Sequence, residues 1–85
     1  MKEFTYVIKD ELGIHARPAG LLIKKLQEFS SAVTILRGND KCEGKKLLAL
    51  MKLQIKAGQA ITLQFTGDDE DAAAAAVQEY LTAIL

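Results

Sequence analysis

The sequence is short of several things, and each shortage removes a class of protein. Its one cysteine, Cys42, excludes an internal disulfide framework. One cysteine and one histidine, His15, cannot assemble a zinc site of the usual composition, so neither a metal nor a cofactor is expected. Tryptophan is absent, and the few aromatic residues are not interleaved with basic ones as on an RNA-binding platform. No apolar run is long enough to cross a membrane. Met1–Ile8 is too short and too charged, with Lys2 and Glu3, to serve as a secretory leader. Charge of one sign is missing too: 11 basic residues balance 11 acidic ones, which removes the general attraction to nucleic acid or lipid that a basic protein has. What remains is an 85-residue chain, 49% hydrophobic and 26% charged. This is enough for one domain over residues 1–85 with its own core, expected in the cytoplasm.

The zero net charge is unevenly laid out. Residues 1–37 carry six basic groups against four acidic, and residues 38–59 carry five against two. Residues 60–85 carry no basic group and five acidic ones. Such clusters are usually solvated faces, but a basic first two-thirds also suits an acidic partner.

Periodicity predicts the elements. Residues 3–8 alternate as a strand, and a polar loop, Asp10–Gly13, follows. From Ala16 the apolar positions Ala19, Leu22, Ile23, Leu26 and Phe29 form one helical stripe, with Pro18 in the first turn, where its missing N–H removes no hydrogen bond. Ala32–Leu36 and Lys41–Glu43 read as a hairpin about Gly38–Asn39. Lys45–Lys52 reads as a short helix and Ala60–Thr66 as a strand. A last helix carries Ala73, Ala76, Val77, Tyr80, Leu81 and Ile84 on one stripe, its start capped by the carboxylates of Asp68–Asp71. The order β-α-β-β-α-β-α predicts an α+β domain: one four-stranded antiparallel sheet with its three helices on one face.

One segment carries chemistry: Gly13-Ile14-His15-Ala16-Arg17-Pro18-Ala19. His15 falls where the loop meets the first helix, whose leading N–H groups lack intrahelical partners and favour negative charge. A neutral imidazole there is a nucleophile, and a phosphoryl group acquired by it would be an anion. Arg17 can bring a guanidinium fork to the same oxygens. The plainer reading of a lone histidine near an arginine is a helix-boundary residue beside a surface cation. The combination with the helix start and the proline-locked turn sets the two readings level.

The segment GIHARPA resembles the active-site pattern of the HPr family, the histidine-containing phosphocarriers of the bacterial phosphotransferase system, and the likeness runs over essentially the whole chain. The resemblance implies an open-faced β-sandwich. It implies that His15 accepts a phosphoryl group at Nδ1 from Enzyme I, charged by phosphoenolpyruvate, and passes it to the IIA domain of a sugar transporter, with Arg17 supporting the group. The protein would be a monomeric carrier, not a free-standing enzyme. An HPr-like paralogue in a nitrogen-type regulatory branch would share His15. A binding protein whose histidine is never phosphorylated would have no need of a nucleophile beside an arginine.

The resemblance also points to a docking surface. Leu47, Leu48 and Met51 are more apolar side chains than one short helix can bury, and the matching positions in the family meet both partners. Lys24, Lys25, Lys45 and Lys46 could form a cationic rim around them. The chain departs from the family at several positions. Lys46 stands where many Gram-positive relatives have a regulatory serine, so no hydroxyl is available to a serine kinase there. Gln54 and Lys56 replace small residues, Gly20 a threonine, and Leu12 a smaller loop residue.

Overall fold

The sheet is organised around its strand with the clearest alternation, β4 (Ala60–Thr66), in which Ile61, Leu63 and Phe65 are fully buried. A computed structural model describes all residues from Met1 to Leu85. β1 (Lys2–Val7) and β2 (Ala32–Arg37) pair antiparallel with β4 on either side, and β3 (Asp40–Glu43) closes a hairpin with β2, giving the order β1-β4-β2-β3. The residues facing one side, Phe4, Tyr6, Val33, Ile35, Cys42 and the three of β4, join the core. Each large apolar side chain removed from water there contributes roughly 1.5–3 kcal/mol. The other side carries Glu3, Thr5, Thr34, Thr62 and Gln64, with the Thr5 and Thr62 hydroxyls 3.0 Å apart. This is the polar face of an open sheet.

Three helices cover the apolar side: α1 (Ala16–Leu26), α2 (Leu47–Lys52) and α3 (Glu70–Ile84). The four-stranded antiparallel sheet and the order β-α-β-β-α-β-α are those expected from the periodicity. Boundaries shift for identifiable reasons. β1 lies one residue earlier than predicted, because the Ile8 backbone leaves the ladder to bond Gln59 O and Gly58 N. α1 stops at Leu26; Glu28 and Phe29 donate back three residues, tightening the turn while Phe29 still packs on the core. α2 starts at Leu47, not Lys45, since Gly44 is pressed against Val33 and Lys46 is the extended residue before the helix. In α3 the buried stripe is Ala73, Ala74, Val77 and Leu81; Ala74 lies inside, and Ala76 and Tyr80 sit at its margin.

The acidic run before α3 works differently from the predicted cap. Asp69 makes no side-chain cap to its own helix. Its carboxylate instead accepts hydrogen bonds from the N–H groups of Ser30 (2.9 Å) and Ser31 (3.0 Å) and from the Ser31 hydroxyl. Gly67 allows this clasp: a Cβ there would lie 2.7 Å from the Ser31 Cα. Glu70, not Asp69, turns back to accept from the Gly67 N–H. The Ser31 hydroxyl, followed by the backbone N–H groups, holds the Asp69 carboxyl below its ordinary range. A depressed carboxyl pKa adds stability that is present above the unfolded value and is lost as pH falls through the folded one. The gap in melting temperature between the parent and Asp69→Asn is therefore expected to be full at pH 7 and to close as pH falls below about 4. Thermal melts across that range check it, and a gap that persists in acid would refute the clasp.

Candidate functional site

The register places both ends of the sheet: Lys2 pairs with Phe65 at the clasp end, and Val7 pairs with Ala60 at the other. The chain leaves β1 at this second end and makes a tight loop. Asp10 Oδ1 accepts from the Leu12 N–H (2.9 Å), and Asp10 O accepts from the Gly13 N–H (2.9 Å). Gly13 turns with φ +69 against the backbone of Ile55 and Lys56, and the next residue, Ile14, donates to Ile55 O at 2.9 Å. On the other flank, the N–H groups of Lys9 and Asp10 donate to Leu85 O. The loop is thus stitched to the segment before β4 and to the end of α3.

His15 emerges from this loop as the residue before α1, extended at φ −103 and ψ −179. Its carbonyl accepts the Ala19 N–H, the first bond of the helix. Its imidazole makes no capping bond and is 38% exposed, so it is open to a partner. Its one acidic partner within ion-pair reach is Asp10, whose Oδ2 lies 3.7 Å from Nε2. Asp10 is the site residue that sequence reasoning missed: it read as loop polarity, and only the turn brings it round to the ring.

Two shallow clefts meet at the imidazole. One is lined by Asp10, Arg17, Pro18 and Leu21 with Ala83 and Ile84 of α3. The other is lined by Leu12, Ile14, Met51, Gln54, Ile55 and Lys56. His15 is common to both. The structure thus brings Arg17 into the first cleft with His15, and adds Lys56 in the second. Gln54, at φ +50, holds a left-handed backbone that favours glycine.

The residues expected to dock partners are more scattered. Leu48 is 76% and Leu47 42% exposed, whereas Met51 is half-buried against the core and reaches the second cleft. Leu12 and Leu21, which the sequence did not single out for docking, are also exposed, one at each cleft. Of the lysines, Lys24 is exposed and Lys46 pairs with Glu43 at 3.2 Å in solvent. Lys45 is committed elsewhere, its Nζ donating to Phe29 O at 2.7 Å. Lys25 faces Glu28 and lies over the Tyr80 ring, on the α3 flank. No cluster of three or more His, Cys, Asp or Glu side chains is arranged to hold a metal. No helix is long and apolar enough to cross a membrane.

The family profile for the phosphotransferase-system HPr component phosphorylation site matches residues 2–83. The chain belongs to the HPr family. It is 38% identical over 79 residues to the phosphocarrier protein HPr of Mycoplasma capricolum, covering 93% of this chain and 89% of that one. It is 39% identical over 82 residues to the HPr of Lysinibacillus sphaericus, covering 96% and 93%. The solved structure of the histidine-containing phosphocarrier protein from Mycoplasma superimposes with a TM-score of 0.92 at 36% identity, over 99% of this chain and 98% of that chain. The open sheet covered by three helices is thus the fold of HPr structures.

Proposed function

We propose that this HPr-family chain is a phosphocarrier: His15 accepts a phosphoryl group from phosphorylated Enzyme I and delivers it to IIA domains of sugar transporters. The observation that carries the reading is the exposed His15 imidazole at the start of α1, with no capping bond and with Arg17 lining the same cleft. A ring that bonded the helix would not be free to attack. A carrier must also release its cargo. A deep phosphate site would trap the group, whereas an open cleft with an exposed arginine stabilises the phosphoryl oxygens moderately and leaves phosphorus open to in-line attack. Arg17 adds most where charge spreads over those oxygens in transfer. The protein acts as a monomeric, covalently modified intermediate rather than as an enzyme with its own substrate.

Incubation with phosphoenolpyruvate and Enzyme I, followed by intact mass, tests this. One acid-labile, alkali-stable phosphate is expected; no uptake overturns it.

Docking falls to the exposed Leu47 and Leu48 of α2 with half-buried Met51, and to Leu12 and Leu21 at the clefts, with Lys24 and Lys46 at the rim; Lys45, held by Phe29 O, contributes least. Leu48→Glu is expected to leave melting unchanged within about 0.5 kcal/mol, since the side chain is in water already. It should weaken Enzyme I binding about tenfold. Calorimetric titration checks it: unaltered binding removes Leu48 from the interface.

A further inference from the structure

We propose that Asp10 is a positioning residue for His15, keeping the imidazole proton on Nε2 so that the Nδ1 lone pair is free to take the phosphoryl group. The inference rests on the phosphocarrier reading above. Asp10 is fixed by two bonds of its own backbone and by one bond to its carboxylate. Oδ1 accepts the Leu12 N–H, the Asp10 carbonyl accepts the Gly13 N–H, and the Asp10 N–H donates to Leu85 O. The second oxygen, Oδ2, is left to face Nε2 at 3.7 Å. That distance is longer than a hydrogen bond but within ion-pair reach, and catalytic contacts are often long until a partner binds. An ionised carboxylate accepts only. It therefore favours the tautomer with hydrogen on the nitrogen it faces, and in a neutral ring the lone pair then sits on the other nitrogen.

The charged residues on the two clefts are Asp10 from the β1–α1 loop, Arg17 from α1 and Lys56 from the segment before β4; α3 contributes only Ala83 and Ile84. Asp10 is the only anion among them. It lies at Nε2, so it orients the ring while Nδ1 keeps no carboxylate partner to repel the incoming phosphoryl oxygens. In the step itself, the Nδ1 lone pair forms the N–P bond as the P–N bond to the donor's phosphohistidine breaks, its electron pair leaving on the donor nitrogen. The Nε2 proton does not move. Delivery reverses this: the Nδ1–P bond breaks and the pair returns to Nδ1. Throughout, Asp10 balances the positive charge that a phosphorylated, Nε2-protonated ring carries.

Nitrogen NMR of the unphosphorylated protein, above the imidazole titration, reads the tautomer directly. The parent is expected to hold mainly the Nε2–H form and Asp10→Asn a more even mixture, with transfer from phosphorylated Enzyme I slowed up to about fivefold, the range of an exposed ion pair. The asparagine keeps the acceptor for Leu12, so melting should not change; Asp10→Ser, whose hydroxyl keeps the turn, gives the same comparison if asparagine disturbs it. Unchanged tautomer populations, or an unchanged transfer rate, in a protein that takes up phosphate overturn this inference alone. A parent that takes up no phosphate overturns the carrier reading, and with it the transfer role of Asp10.

Discussion

His15→Gln should take up no phosphoryl group from phosphoenolpyruvate and Enzyme I under conditions that label the parent fully. The loss should be complete, because the chain holds no second histidine. A glutamine amide nitrogen shares its lone pair with the carbonyl and does not attack phosphorus. The fold should survive: the His15 side chain caps nothing, and the backbone carbonyl that starts α1 is retained. Intact mass and a thermal melt on the same sample separate the two effects. Phosphate on the variant would move the acceptor away from His15 and would take the Asp10 argument with it.

The largest structural loss is expected from Gly13→Ala. Gly13 has φ +69, where an alanine costs roughly 1–2 kcal/mol. Its added Cβ would also meet the Ile55 carbonyl oxygen and lie 2.7 Å from the Lys56 Cα. Those are backbone atoms that cannot swing aside, so overpacking adds about 1–3 kcal/mol more. A melting-temperature drop of at least about 10 °C follows for a domain this small. Gly38 is the control: it shares a left-handed backbone at φ +60, but nothing lies within 4 Å of its missing Cβ. Equal losses at the two positions would show that the close approach at Gly13 carries no energetic weight. If the loop yields instead, the Ile14 bond to Ile55 breaks, and phosphoryl transfer should fall even in the folded fraction.

Elements governed by local pattern were legible in the sequence. The alternation of Ile61, Leu63 and Phe65 specified β4 to the residue, and the polar loop closed by Gly13, with Pro18 after it, located a helix start at His15. What was not legible depends on contacts between distant residues. Asp69 reaches back 38 residues to Ser31, so a carboxylate with every local mark of a helix cap serves another loop. Lys45 bonds the Phe29 carbonyl 16 residues earlier and so leaves the cationic rim. Asp10 meets His15 only because its other oxygen is tied to Leu12, a contact that charge patterning cannot show.

The pair of bonds from Lys9 and Asp10 to Leu85 O bears on how the protein is produced and labelled. Any tag, dye linker or fusion attached after Leu85 would emerge beside the loop that presents the imidazole, where it could shield the cleft from large partners. Attached before Met1, whose amino group lies 2.9 Å from Glu70, the same addition would emerge at the far end of the sheet. Kinetic and binding work is therefore best done with attachments on the amino-terminal side.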